Sequence, residues 1–152
     1  MGLELSTVEA KTLRGAIGLS SGQLGLVFNC DAMHVNRWES DSSKETPTPW
    51  QIERMLDILK LATNHVDKGI EKANVIIQSN DGDSTIKLLR FNDVEELRKL
   101  DVEVGKLPIQ VHYKIIERLY TNLIFIDGVK IAVVPYDASL IARQAIKREF
   151  IF

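Results

Sequence analysis

The apolar pattern in the N-terminal part of the chain predicts a series of helices, each preceded by side chains that can cap it. Three starts are capping boxes, in which a serine or threonine and the residue three positions on each satisfy a free backbone amide. These boxes are Ser6–Glu9, Ser20–Gln23 and Thr48–Gln51. Asp31 can cap a further helix, and Asn29 before it tolerates the left-handed backbone of a sharp turn. The pattern therefore predicts four helices before the middle of the chain.

The fourth of these helices is predicted to be much longer than the others. Its apolar positions recur at helical spacing: Ile52, Met55, Leu56, Leu59, Val66, Ile70, Ala73 and Ile77. If it is unbroken, it has roughly 30 residues and a length of about 45 Å; a break near residues 62–64 is the alternative. Because such a helix extends beyond a small bundle, we expect its far half to pack on something else.

The pattern changes after Asn80–Asp83, whose turn chemistry marks the predicted domain boundary. The elements predicted beyond it are a strand at 85–91, a short helix capped by Asn92 or Asp93 and ending at Leu100, a helix from Pro108, a β-hairpin of 123–127 with 129–134 around Asp127-Gly128, and a helix at 138–147. We thus predict a mainly α protein with two domains, at residues 1–79 and at residues 80–152, the second being a small α+β domain.

Composition and charge narrow the class of protein. The 152 residues carry a formal net charge of −2, which is not typical of a nucleic-acid-binding protein. No long apolar run or signal sequence is present, so a cytoplasmic location is expected. The single cysteine, Cys30, and the scattered histidines predict neither a disulfide nor a metal site, and no cofactor is expected. Without a phosphate-binding loop, an HExxH motif or a Ser/His/Asp set, the chain is not expected to be an enzyme.

The strongest functional signal lies in residues 19–41, LSSGQLGLVFNCDAMHVNRWESD. A helix-turn-helix needs a small residue where its helices nearly touch, and Gly25 stands there. It needs a turn residue followed by a buried apolar one, here Asn29 and Cys30. It also needs buried positions three residues apart on the second helix, here Val35 and Trp38. All of these residues stand in register.

This segment resembles the Cro/CI-type repressors, also called the xenobiotic-response-element family, whose usual string is close to LSQEELAxxLGVSxxTISRWExG. The matching positions include Leu19, Ser20, Leu24, Phe28, Val35, Arg37, Trp38 and Glu39. The resemblance covers about residues 6–62 and implies a lambda-repressor-like helix-turn-helix bundle with a recognition helix in the major groove of double-stranded DNA. The alternative is a helical hairpin within another fold.

The resemblance also implies roles for individual residues. Arg14 and Glu39 stand where the family commonly has an ion pair between its first helix and the end of its third. The candidate readers of DNA bases are Met33, His34, Asn36 and Arg37. The candidate contacts to the DNA backbone are Ser20, Ser21, Gln23, Ser43 and Lys44. Ser21 stands where many members have a glutamine that grips phosphate, so this contact is expected to be absent or shorter. Lys44 can equally be an ordinary surface lysine.

The order of elements resembles that of the two-domain anti-CRISPR-associated autorepressors and their YdiL-like relatives. This resemblance implies a homodimer, formed through the long fourth helix and the C-terminal domain, that represses its own operon from a palindromic operator. The alternative function is an antitoxin-like or other protein-interaction module, in which DNA binding is secondary. The tail Phe150–Phe152 is expected to be an exposed apolar segment that completes the dimer core or contacts a partner.

Overall fold

The computed structural model describes residues 3–79, 84–137 and 150–151. The helices are α1 (Thr7–Ile17), α2 (Ser21–Phe28), α3 (Ala32–Trp38), α4 (Pro49–Ser79), α5 (Val94–Leu100), α6 (Val102–Gly105) and α7 (Gln110–Leu123). The strands are β1 (Ser84–Arg90), β2 (Val129–Pro135) and β3 (Phe150–Ile151). The described part of the chain is mainly helical with a small parallel sheet, so the prediction of a mainly α protein is confirmed.

The capping residues account for where the N-terminal helices begin and end. Each predicted box has both of its hydrogen bonds. The side-chain oxygen of the serine or threonine accepts from the backbone amide three residues on, and the glutamate or glutamine at that position accepts from the backbone amide of the serine or threonine. Asp31 accepts from the amide of His34 at 2.9 Å and thereby starts α3. Gly18 and Asn29 end α1 and α2 with φ angles of 87° and 55°. The helix starts predicted from the sequence are confirmed.

Helix α4 is continuous over its 31 residues, so the break near residues 62–64 is absent. Its buried side is Ile52, Met55, Ile58, Ala62, Val66, Gly69 and Ala73. The helix contacts α1 and also α7 and β1. At Gly69 an added Cβ would lie 2.6 Å from Leu119 Cδ2 of α7, so the two helices are in close contact there. The far half of α4 therefore packs on another part of the chain, as predicted, and the buried apolar side chains of both halves form one cluster.

The sheet has the order β2-β1-β3, and both neighbours run parallel to β1. Ile86, Leu88 and Leu89 of β1 are fully buried. A parallel pair needs a long connection, and α5, α6 and α7 lie between β1 and β2 in the chain. The short helix α6 was not among the predicted elements, and α7 begins at Gln110 rather than at Pro108.

The predicted β-hairpin around Asp127-Gly128 is wrong. Leu123 continues the helical face of Ile116 and Leu119, and all three side chains are buried, so α7 extends through the residue where the first hairpin strand was expected to begin. Residues 124–128 form a turn, in which Gly128 has a φ of 75°. This turn leads into β2, which pairs with β1 instead of with the preceding residues.

The C-terminal predictions have mixed outcomes. Ile151 is 2% exposed and pairs with Leu88, so the expectation of an exposed tail is wrong at this residue. The predicted helix at 138–147, the turn at 80–83 and Phe152 lie outside the described residues. The division into two domains stays a prediction. Within the described residues, no helix is long and apolar enough to cross a membrane.

Gly25 allows a close contact between α2 and the turn that follows it. A Cβ built there would lie 2.5 Å from the carbonyl oxygen of Cys30, which is backbone and cannot rotate away. We expect Gly25→Ala to lower the free energy of unfolding by about 1–3 kcal/mol, as overpacked sites do. Urea denaturation monitored by circular dichroism measures this change.

Gly15→Ala is the matched control for Gly25→Ala. Gly15 lies inside α1, and nothing lies within 4 Å of a Cβ built there. This substitution is expected to raise the free energy of unfolding by about 0.5–1 kcal/mol, because alanine is the better helix former. Equal stabilisation by both substitutions would contradict the tight contact at Gly25.

Candidate nucleic-acid interface

Helix α3 has a buried side that anchors it and an exposed side that carries the candidate base readers. Val35 and Trp38 are 0% and 2% exposed and face the core. The candidate readers Met33, His34, Asn36 and Arg37 are all exposed. The structure thus places the four predicted readers together on the solvent side of one short helix.

The predicted partners Arg14 and Glu39 fix the end of α3 to α1. Arg14 Nε donates to Glu39 Oε1 at 2.5 Å, and Nη2 donates to Oε2 at 3.0 Å. Nη1 also donates to the carbonyl of Leu19 at 3.0 Å. The hydrogen bonds to Glu39 raise the pKa of Arg14 above its ordinary value. Because Glu39 is paired with Arg14 of α1 and only 10% of its side chain is exposed, it is not part of the exposed face of α3.

The start of α2 lies beside α3 and brings two of the predicted residues into contact. Ser21 Oγ donates to Asn36 Oδ1 at 2.6 Å. This bond leaves the amide NH₂ of Asn36 free to donate and fixes which way that side chain points. Ser20 and Gln23 use their side chains to cap α2. A DNA contact from either of these two residues would compete with the cap.

Arg37 has a neighbour that the sequence pattern did not reveal. Its Nη1 lies 3.3 Å from Oε1 of Glu45, in the loop after α3. That loop also holds Ser43, which accepts a hydrogen bond from the amide of Glu45, and the exposed Lys44. Both partners of the pair are about half exposed, and such pairs contribute little stability. Arg37 can therefore exchange Glu45 for another acceptor. No short-range signal identifies Glu45, because the path of the loop sets the contact.

An aromatic cluster supports α3 from behind. The ring of Trp38 contacts those of Phe28 and His34 edge to face, with centroid distances of 5.9 Å in both cases. Phe28 also contacts Trp50 of α4 at 5.6 Å. Trp38 is therefore part of the core, as expected, and the contact with its ring orients the exposed His34.

Most of the acidic side chains around α3 have partners within the protein. Residues 19–45 contain four acidic residues but only Arg37 and Lys44 as basic ones. Glu39 is neutralised by Arg14 and Glu45 faces Arg37, while Asp41 accepts a hydrogen bond from Thr7. Most of the negative charge is therefore engaged within the protein.

Cys30, His65 and His112 are partly or fully buried within the fold. Cys30 is only partly buried, not buried as predicted, because it lies on the turn at the surface. The partial burial of Cys30 raises the pKa of its thiol, and the negative charge of the neighbouring Asp31 raises it further. His65 bonds with Asp101, and His112 accepts from the amide of Phe91 at 3.0 Å. Within the described ranges, no group of three or more His, Cys, Asp or Glu side chains could hold a metal ion.

No protein-family model matches the chain, and a search of curated proteins finds no significant match.

Proposed function

We propose that the protein is a sequence-specific DNA-binding regulator, in which α2, the turn at Asn29 and α3 form a helix-turn-helix. The observation that carries this proposal is the exposed face of α3, where Met33, His34, Asn36 and Arg37 stand together. Arginine can donate two hydrogen bonds to guanine, asparagine can pair with adenine, and methionine can contact the methyl group of thymine. The lambda-repressor-like arrangement of α1 to α4 belongs to the same proposal.

The rigid anchoring of α3 supports this function. A recognition helix must keep a fixed angle to the groove, and α3 is held by the buried Val35 and Trp38, by the Arg14–Glu39 pair and by the close contact at Gly25. Contacts to the DNA backbone would come from Ser20, Ser21, Gln23, Ser43 and Lys44. With so few cations, the affinity should depend on a small number of phosphate contacts and should fall only moderately with salt.

Arg37→Ala tests the base-reading role. We expect it to weaken binding to the DNA upstream of the protein's own gene by about 1–3 kcal/mol, and binding to a random duplex by less. Fluorescence anisotropy with the two duplexes at several salt concentrations measures both effects. Lys130→Ala is the control, since Lys130 is an exposed cation of β2. If the unaltered protein shows no preference for the upstream DNA at moderate salt, the proposal fails.

A homodimer belongs to the same proposal, because one helix-turn-helix reads too few base pairs for useful specificity. We place the contact between the subunits on the C-terminal part of the chain together with α4. Ile124, Phe125 and Val133 are large apolar side chains exposed there by 41%, 87% and 43%, at the turn after α7 and on β2. Two such subunits acting as an autorepressor would read half-sites about 34 Å apart.

The same apolar side chains favour the second candidate function, an antitoxin-like or other protein-interaction module. Sedimentation equilibrium of the unaltered protein and of Phe125→Asp separates the two. A homodimer that dissociates on this substitution supports the regulator. If both proteins are monomers and the unaltered protein shows no preference for the upstream DNA, the protein-interaction module is supported. The expected partner is then a toxin encoded by a gene beside this one.

A further inference from the structure

A cleft of about 450 Å³ separates α2 from the segment that joins α5 to α7. Its apolar wall includes Leu26 on α2 and Leu107 and Pro108 opposite. Leu26 is 77% exposed although it is a large apolar side chain. The volume lies within the range of sites that hold small organic molecules. The cleft is separate from the exposed face of α3.

Three cationic side chains line the same cleft: Arg54 of α4, Arg98 of α5 and Lys106. No acidic side chain is among the described residues that line it. Arg98 is held in place, because its Nε donates to the carbonyl of Gly105 at 3.1 Å and its Nη1 donates to Glu95 at 2.9 Å. A cleft lined by charges of one sign concentrates counter-ions of the other sign.

Arg54 and Lys106 have the greater capacity to bind an anion. Within the described part of the chain, neither side chain has a hydrogen-bond or ion-pair partner. They also line an adjoining cleft of about 310 Å³, in which Asp57 and Glu103 supply negative charge. The charge is therefore balanced on that side and unbalanced on the side of Leu26. An anion is expected on the Leu26 side.

We propose that this cleft binds a small amphipathic anion, a carboxylate or sulfonate with an apolar body. The anionic group would take charge-assisted hydrogen bonds from Arg54 and Lys106. The apolar body would lie between Leu26 and Pro108, and it would mainly cover the side chain of Leu26, which is otherwise exposed to water, because Leu107 is already buried. The inference is independent of DNA binding, since it uses none of the residues on the exposed face of α3.

Fluorescence titration of the full chain with 1-anilinonaphthalene-8-sulfonate tests this proposal, with decanoate and decanol as competitors. We expect saturable binding that decanoate reverses and that decanol reverses much less. Arg54→Ala and Lys106→Ala should each raise the Kd of the dye about tenfold, the loss expected for one hydrogen bond between charged groups. Lys130→Ala should leave the Kd unchanged.

Leu26→Glu provides a second arm that does not depend on a cationic residue. Leu26 is largely exposed, so the fold should tolerate the change, and the new carboxylate should repel the dye from the cleft. Thermal melting of each variant shows that the native fold is retained. The proposal is overturned if binding is not saturable, if decanol competes as well as decanoate, or if Lys130→Ala weakens binding as much as Lys106→Ala does.

Discussion

Glu39→Ala is expected to lower the free energy of unfolding by about 3 kcal/mol, although it removes only one carboxylate. The reason is that the substitution leaves the guanidinium of Arg14 without its partner. Arg14 has only 18% of its side chain exposed and gives two of its hydrogen bonds to Glu39. Without Glu39 the guanidinium keeps its charge in a place that water reaches poorly. Urea denaturation followed by tryptophan fluorescence gives the difference in free energy.

A double-mutant cycle shows whether the loss comes from the stranded charge. We expect Arg14→Ala with Glu39→Ala to be less damaging than the sum of the two single substitutions, because the double variant leaves neither charge unpaired. Glu117→Ala is the control, since Glu117 pairs with Lys114 but is 62% exposed, and its loss should stay within about 0.5 kcal/mol. Additive losses in the cycle, or an equal effect at Glu117, would contradict a specific role for this pair.

The helices of the N-terminal part were predictable from the sequence because their signals are local. A capping box spans four residues, and both of its hydrogen bonds form within that span, so Ser6 and Glu9 specify the start of α1 wherever the rest of the chain lies. The same holds for the positive φ of Asn29. The separation of exposed and buried residues on α3 also follows from local spacing, which is why the candidate readers could be named before the structure was known.

The sheet was not predictable in the same way because its partners are far apart in the sequence. Ser84 pairs with Val129 across the whole of α5, α6 and α7, and the residues of the two strands do not themselves indicate that they pair in parallel. Asp127-Gly128 is a strong turn signal, but a turn after a helix uses the same residues as a hairpin turn does. Continuation of the α7 face to Leu123 was the pattern that could have decided between them.

Contacts that depend on tertiary packing were missing from the predicted site as well. Glu45 reaches Arg37 only because the loop after α3 folds back, and Arg54 and Lys106 line one cleft only because α4 passes beside the segment before α7. In the sequence, Glu45, Arg54 and Lys106 look like ordinary surface charges. Sequence spacing therefore identified the helix face that was proposed to read DNA, while the cleft could be found only in the folded chain.

Acidification is expected to lower the free energy of unfolding by a similarly large amount, and His112 is the residue responsible. This side chain is 2% exposed, and its Nε2 accepts a hydrogen bond from the amide of Phe91. Burial, helped by the charge of Arg90, lowers the pKa of His112 from 6.5 to about 4, although Asp101 acts in the opposite direction. Protonation would remove the acceptor that Phe91 uses, so the folded state holds the ring neutral.

Acid destabilises the fold because His112 binds a proton at a higher pH in the unfolded chain than in the folded chain. Well above pH 6.5 the ring is neutral in both the folded and the unfolded state, so it does not contribute to the pH dependence of stability there. As the pH falls from 6.5 towards 4, the unfolded chain takes up a proton that the folded chain refuses, and the free energy of unfolding should fall by about 3 kcal/mol from this group. Urea denaturation at intervals between pH 7 and pH 4 measures the slope.

The variant His112→Gln isolates the contribution of this residue, because glutamine can still accept a hydrogen bond but does not titrate. We expect it to be less stable at pH 7 and to lose much less stability on acidification. Ile115→Val is the matched control: it alters the buried face of the same helix, keeps His112, and should retain the full pH dependence. If His112→Gln and the unaltered protein lose the same free energy between pH 6.5 and pH 4, then His112 is not the group that makes the fold sensitive to acid.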